Sequence, residues 1–107
     1  MITIKKIKKF NDDVKHLKKK YKNIYEDLRV FKKTILENPE AGKNLGHGLY
    51  KLRLKNSSKN TGKSGGFRVI YYYKTVDNII YAVSIYDKSE IENIATKTLI
   101  KIIEEEL

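Results

Sequence analysis

Leu49-Tyr-Lys-Leu-Arg-Leu-Lys55, a ten-residue polar stretch Asn56-Ser-Ser-Lys-Asn-Thr-Gly-Lys-Ser-Gly65, and then Gly66-Phe-Arg-Val-Ile-Tyr-Tyr-Tyr73 form the middle of the chain. The period-2 rule reads this as two strands joined by a basic loop. In the first strand Tyr50, Leu52 and Leu54 share one face, and Lys51, Arg53 and Lys55 share the other. In the second, Phe67, Val69, Tyr71 and Tyr73 alternate with Arg68, Ile70 and Tyr72, so either face is apolar enough to be buried. If the strands pair as neighbours, Arg68 joins the cationic row, and Lys59 and Lys63 lie beside it on a glycine-loosened loop.

Outward from this centre, Thr75-Val-Asp-Asn78 reads as a hairpin turn into the apolar strand Ile79 to Tyr86, completing an antiparallel meander. Towards the N-terminus, Phe10, Val14, Leu17 and Tyr21 recur at helical spacing, as do Ile24, Leu28, Phe31 and Ile35. The second stripe stops at Asn38-Pro39. A break near Tyr21 to Asn23 makes the pair a helical hairpin. Ile2 and Ile4 suggest a short N-terminal edge strand, guarded by lysines.

Residues Pro39 to Gly48 are dense in turn formers and read as a loop; its His47 is a candidate proton-transfer group, although lone loop histidines are more often incidental. Ser89 and Glu92 have the spacing of a capping box, with Asp87 as the alternative cap. The expected final helix starts near Glu90 and buries Ile91, Ile94, Ala95, Thr98, Leu99 and Ile102. Its three terminal glutamates oppose the helix dipole, unless they neutralise a basic neighbour. The expected fold is therefore α+β: helical hairpin, antiparallel meander and C-terminal helix, with the helices on one sheet face and the other face open.

Composition bounds the chemistry. A chain of 107 residues is expected to form one domain with a single core. It has no cysteine, which excludes thiolate catalysis and Cys-based metal sites, and its two histidines are far apart, so no metal or other cofactor is expected. No apolar run approaches a membrane span and no signal-peptide pattern follows the first lysines; a cytoplasmic protein without a membrane partner is expected. The net charge is +10, and residues 1 to 63 carry +12 of it against −2 for the remainder. Such a field favours a polyanion. Twenty of the 23 cations are lysine, which also suits a merely solvated surface, so Arg53 and Arg68 are the more informative: a guanidinium fork suits bidentate phosphate contacts.

The Tyr50-Lys-Leu-Arg-Leu-Lys55 strand, the Gly62-Lys-Ser-Gly-Gly-Phe-Arg-Val-Ile-Tyr-Tyr72 stretch and the order of elements resemble the RelE/ParE superfamily of toxins, and the second motif is particularly similar to HigB-like members of the RelE branch. The resemblance implies a ribosome-dependent endoribonuclease that cleaves messenger RNA in the A site of the 70S ribosome, is neutralised by an antitoxin with a helix-turn-helix DNA-binding part, and needs no metal. On the matching positions it implies Arg53, Lys63, Arg68 and Lys88 as catalytic and Lys51 and Tyr86 as substrate-binding; Lys55 on the cationic strand face and Lys59 on the loop are expected to bind substrate from their placement. The final helix region lacks the tyrosine that some relatives carry there, which leaves open whether Lys51 or Lys63, its pKa lowered by neighbouring cations, is the base. Two other readings stand beside this one: a ParE-like inhibitor of DNA gyrase, which has no need of the cationic row, and a nucleic-acid-binding module without catalysis.

Overall fold

The computed structural model describes residues 1–60, 65–91 and 93–107. Strand β1 (Thr3–Lys6) leads into helices α1 (Lys8–Lys18) and α2 (Ile24–Glu37). Strands β2 (Lys43–Gly46), β3 (Leu49–Leu54), β4 (Phe67–Lys74) and β5 (Ile79–Asp87) follow, and helix α3 (Thr96–Glu106) closes the chain. The strands form one sheet in the order β1-β5-β4-β3-β2, parallel between β1 and β5 and antiparallel elsewhere. The α+β class, the helical hairpin, the meander and the N-terminal edge strand are all present.

Both helical stripes are buried as their spacing requires. Phe10, Val14 and Leu17 of α1 and Ile24, Phe31 and Ile35 of α2 are all buried, each worth ~1.5–3 kcal/mol when fully removed from water. They cover the face bearing Tyr50, Leu54, Phe67, Val69 and Tyr71. Phe31 meets Tyr71 edge-on at 5.9 Å, Tyr21 meets Phe67 at 5.6 Å, and Tyr50 stacks on Tyr71 across the β3–β4 pair at 5.3 Å. Beyond the short β1, the exposed edge of β5 is taken up by α1: Asp13 Oδ2 accepts hydrogen bonds from Ile85 N at 3.2 Å and Ser84 Oγ at 2.7 Å. A carboxylate thus replaces the missing strand.

Three expectations change. The stretch read as a loop up to Gly48 contains β2, which forms a tight hairpin with β3 through Gly46, His47 and Gly48, all at positive φ. Gly48, at φ +79°, lies so close to Tyr72 that a Cβ would fall 2.7 Å from its ring, so only glycine closes this turn. The final helix starts at Thr96 rather than Glu90. Asp87 does act as a cap, but of an isolated turn: its Oδ1 accepts from Ser89 N at 2.9 Å and its carbonyl from Glu90 N, and α3 begins only after Ala95. Glu92 of the expected capping box lies outside the described residues. Third, the face opposite α1 and α2 is not open throughout. Leu49 and Ile70, which share it, are 0% and 1% exposed. The C-terminal segment crosses this face, with Asn93 Oδ1 bound to Lys51 Nζ at 3.2 Å, and α3 packs against β5 and buries Leu99.

Candidate nucleic-acid interface

Strand register assembles the cations. Arg53 and Arg68 are direct cross-strand partners in the β3–β4 pair, and Lys43 and Lys51 are partners in the β2–β3 pair. Because Lys51 and Arg53 are two residues apart on β3, both pairs lie on the same face. Like charges set opposite one another destabilise a sheet, and here two such pairs are adjacent. Lys88, at the turn after β5, completes the set. These five side chains, with Ala41, Gly42 and Leu52, line an open hollow of about 510 Å³. Among the described residues the lining contains no carboxylate.

The surroundings shift the basic groups. Burial, then the charges of Lys43, Arg68, Arg53 and Lys88, lower the Lys51 pKa below its ordinary 10.5. Arg68 is 6% exposed, and burial followed by the Arg53 charge lowers its pKa; its Nη1 donates to Phe67 O at 3.2 Å. Arg53, in contrast, is exposed. Tyr86, the cross-strand partner of Arg68, is 3% exposed, and burial raises its pKa. Among the described residues its hydroxyl has no hydrogen-bond partner. A buried orphan hydroxyl beside an arginine is a costly arrangement that an added anion would relieve.

The expected site residues therefore separate. Lys51, Arg53, Arg68 and Lys88 converge on the hollow, with Tyr86 behind Arg68. Tyr86 is too enclosed to stack on a base, which leaves its hydroxyl as the group it can offer. Lys55 lies exposed just past the end of β3, outside the lining. Lys59 is held away from it: its Nζ bonds Asp87 Oδ1 at 2.7 Å and Ser89 Oγ at 3.0 Å and sits 5.2 Å from the centre of the Tyr21 ring. The Asp87 bond is the main cause that raises the Lys59 pKa, so this cation serves the fold. Lys63 lies outside the described residues. His47 sits exposed at the hairpin tip and does not line the hollow. Lys43 was missed, because its stretch shows turn residues and a single apolar side chain, Leu45, too little to set a strand period.

Among the described residues no group of three or more His, Asp or Glu side chains could hold a metal ion, and no helix is long and apolar enough to cross a membrane. Two solved structures share the fold. A variant of the E. coli toxin RelE with two arginines replaced, in the free state, has a TM-score of 0.61 at 18% identity, over 99% of this chain and 98% of that one. The isolated E. coli RelE toxin has a TM-score of 0.57 at 18% identity, over 98% of each chain. Residues 6–104 match the family model of the RelE toxin of the RelE/RelB toxin-antitoxin system. With nearly its whole length matched, the chain belongs to the RelE family of toxins from toxin-antitoxin systems.

Proposed function

We propose that the cationic hollow binds messenger RNA in the ribosomal A site and cleaves it without a metal. The observation that carries this reading is the convergence of Lys43, Lys51, Arg53, Arg68 and Lys88 on one hollow. In the reaction the substrate's own 2′-hydroxyl loses its proton to neutral Lys51 and attacks the adjacent phosphorus. Arg53 and Arg68 hold the phosphate and the charge that builds on its oxygens, and the 5′ oxygen leaves with a proton from Lys88, giving a 2′,3′-cyclic phosphate and a free 5′-hydroxyl. The Tyr86 hydroxyl, which among the described residues has no hydrogen-bond partner, is a further donor for the phosphate held by Arg68. Lys63 joins the site on the strength of its motif position alone. Lys51 suits the base because its environment already disfavours the charged form. The protein works in the cytoplasm as a HigB-like member, held inactive by an antitoxin that carries a helix-turn-helix DNA-binding part.

Toeprinting of a defined messenger in a purified translation system tests this, with toxin freed of its antitoxin. The wild type is expected to cut within the A-site codon only when ribosomes are present. Arg53→Ala is the informative variant, since Arg53 is exposed and its loss leaves the core intact; a fall of roughly 10²–10³ in cleavage rate is expected from removing one donor to the developing charge. Folded wild-type protein that cuts nothing would overturn the proposal, and a supercoiling assay would then examine gyrase.

A further inference from the structure

The cations of the hollow fall into two ranks. Arg53 with Arg68 forms one, Lys43 with Lys51 the other, and along β3 the ranks stand two residues, roughly 6.7 Å, apart. That step is comparable with the spacing of neighbouring phosphates along a single nucleic-acid strand, and a groove of regularly placed cations is how proteins track such a backbone.

The second rank is built rather than incidental. Lys43 is delivered by the Pro39–Gly42 turn, which two core tyrosines hold in place. The Tyr71 hydroxyl donates to Pro39 O at 2.7 Å and accepts from Gly42 N at 3.1 Å, and the Tyr50 hydroxyl donates to Glu40 at 3.2 Å. Gly42 packs so tightly on β3 that a Cβ would lie 3.0 Å from the Lys51 carbonyl carbon and oxygen. The fold thus fixes Lys43 opposite Lys51 at the cost of a like-charge pair. Among the described residues Lys43 has no ion pair. An anion is the partner that offsets this cost.

We infer that the hollow has two phosphate subsites: Arg53 and Arg68 take the phosphate that is cleaved, and Lys43, fixed beside the base Lys51, takes its neighbour on the same RNA strand. The inference rests on the ribonuclease reading and deepens it. It makes Lys43 a substrate-binding residue that contributes to affinity and to the register of the cut. The substrate is then a strand with charge on at least two consecutive linkages.

Single-turnover cleavage on ribosomes programmed with synthetic messengers tests this. In two messengers one linkage flanking the scissile phosphate, on either side in turn, is a neutral methylphosphonate with the adjoining 2′ oxygen methylated; controls carry the methylated sugar and an ordinary phosphate. For the wild type, neutralising one of the two flanking linkages is expected to raise the half-saturating toxin concentration roughly tenfold, the loss of one charge-assisted contact. The rate at saturation is expected to hold. Lys43→Ala is expected to show the same tenfold loss on the control and no further loss on that neutral messenger, and Lys43→Arg to behave as the wild type. Equal further losses in wild type and Lys43→Ala, or no effect of either change, would overturn the second subsite while leaving cleavage itself intact. A wild type that cuts no control messenger would instead overturn the ribonuclease reading and this inference with it.

Discussion

Lys51 occupies a position where a lysine's charge is poorly tolerated. Burial and four nearby cations lower its pKa, and Asn93 supplies a neutral acceptor rather than a carboxylate. A base acts when deprotonated, so lowering the pKa from 10.5 enlarges the active fraction at a given pH. The cleavage rate should therefore rise with pH and level off at a pKa below that of an ordinary lysine. Lys51→Arg, whose guanidinium stays charged, should keep phosphate affinity, lose this rising limb and cut roughly 10²–10⁴-fold more slowly. Single-turnover rates across a pH series, with toxin at saturation, separate the two effects. A wild type and Lys51→Arg with the same pH profile would move the base elsewhere, with Lys63 next in line.

The sheet carries the site at a cost in its own stability. Arg53 and Arg68 face one another across β3 and β4, where an apolar or β-branched partner would be favoured. Arg53→Thr is accordingly expected to stabilise the protein by about 0.2–1 kcal/mol in urea unfolding while abolishing most cleavage. A destabilised variant would show that Arg53 is needed for the fold as well. The sheet also shows how far sequence reached. The stripes of α1 and α2 and the apolar alternation of β3 to β5 were legible because each repeats several times with one period. Arg53 and Arg68 could be placed together because adjacent strands on a short loop fix register. The alternation of β4 did not say which face is buried, since its neighbours bury both, and β2 was hidden in turn residues. The start of α3 was displaced because Asp87 spends its capping capacity on a turn and Asn93 is drawn onto Lys51. Lys43 and Lys59 needed tertiary structure: one enters the hollow through a hairpin with no sequence period, and the other is claimed by a buried aspartate.

Across the whole molecule, the folded chain brings its acidic end back to its basic beginning. Glu106 Oε1 accepts from Lys9 N in the first turn of α1, where the helix dipole welcomes an anion, and Glu90 pairs with Lys20 at 3.1 Å. The deepest such link is Asp87, 0% exposed, which joins β5 to the loop after β3 through Asn56 at 3.0 Å and Lys59 at 2.7 Å. Burial pushes its pKa up, but the bonds from Lys59, Ser89 and Asn56 together outweigh this and hold it at about 2, against 3.8 ordinarily. A carboxyl whose folded pKa is depressed stabilises fully above its unfolded pKa, so this contribution, roughly 2 kcal/mol, is present above pH 3.8 and lost as pH falls towards about 2. Urea midpoints followed through that window should drop for the wild type and change less for Asp87→Asn. The parallel pairing of Thr3–Lys6 with Ile79–Ala82 has a further consequence for how the protein is made. Synthesis proceeds from the N-terminus, so the first strand waits unpaired, with Ile2 and Ile4 exposed among lysines, until nearly four-fifths of the chain has been translated. A truncated nascent chain that lacks β5 has neither the full sheet nor Lys88, so the cationic hollow is complete only after the last strand has been made.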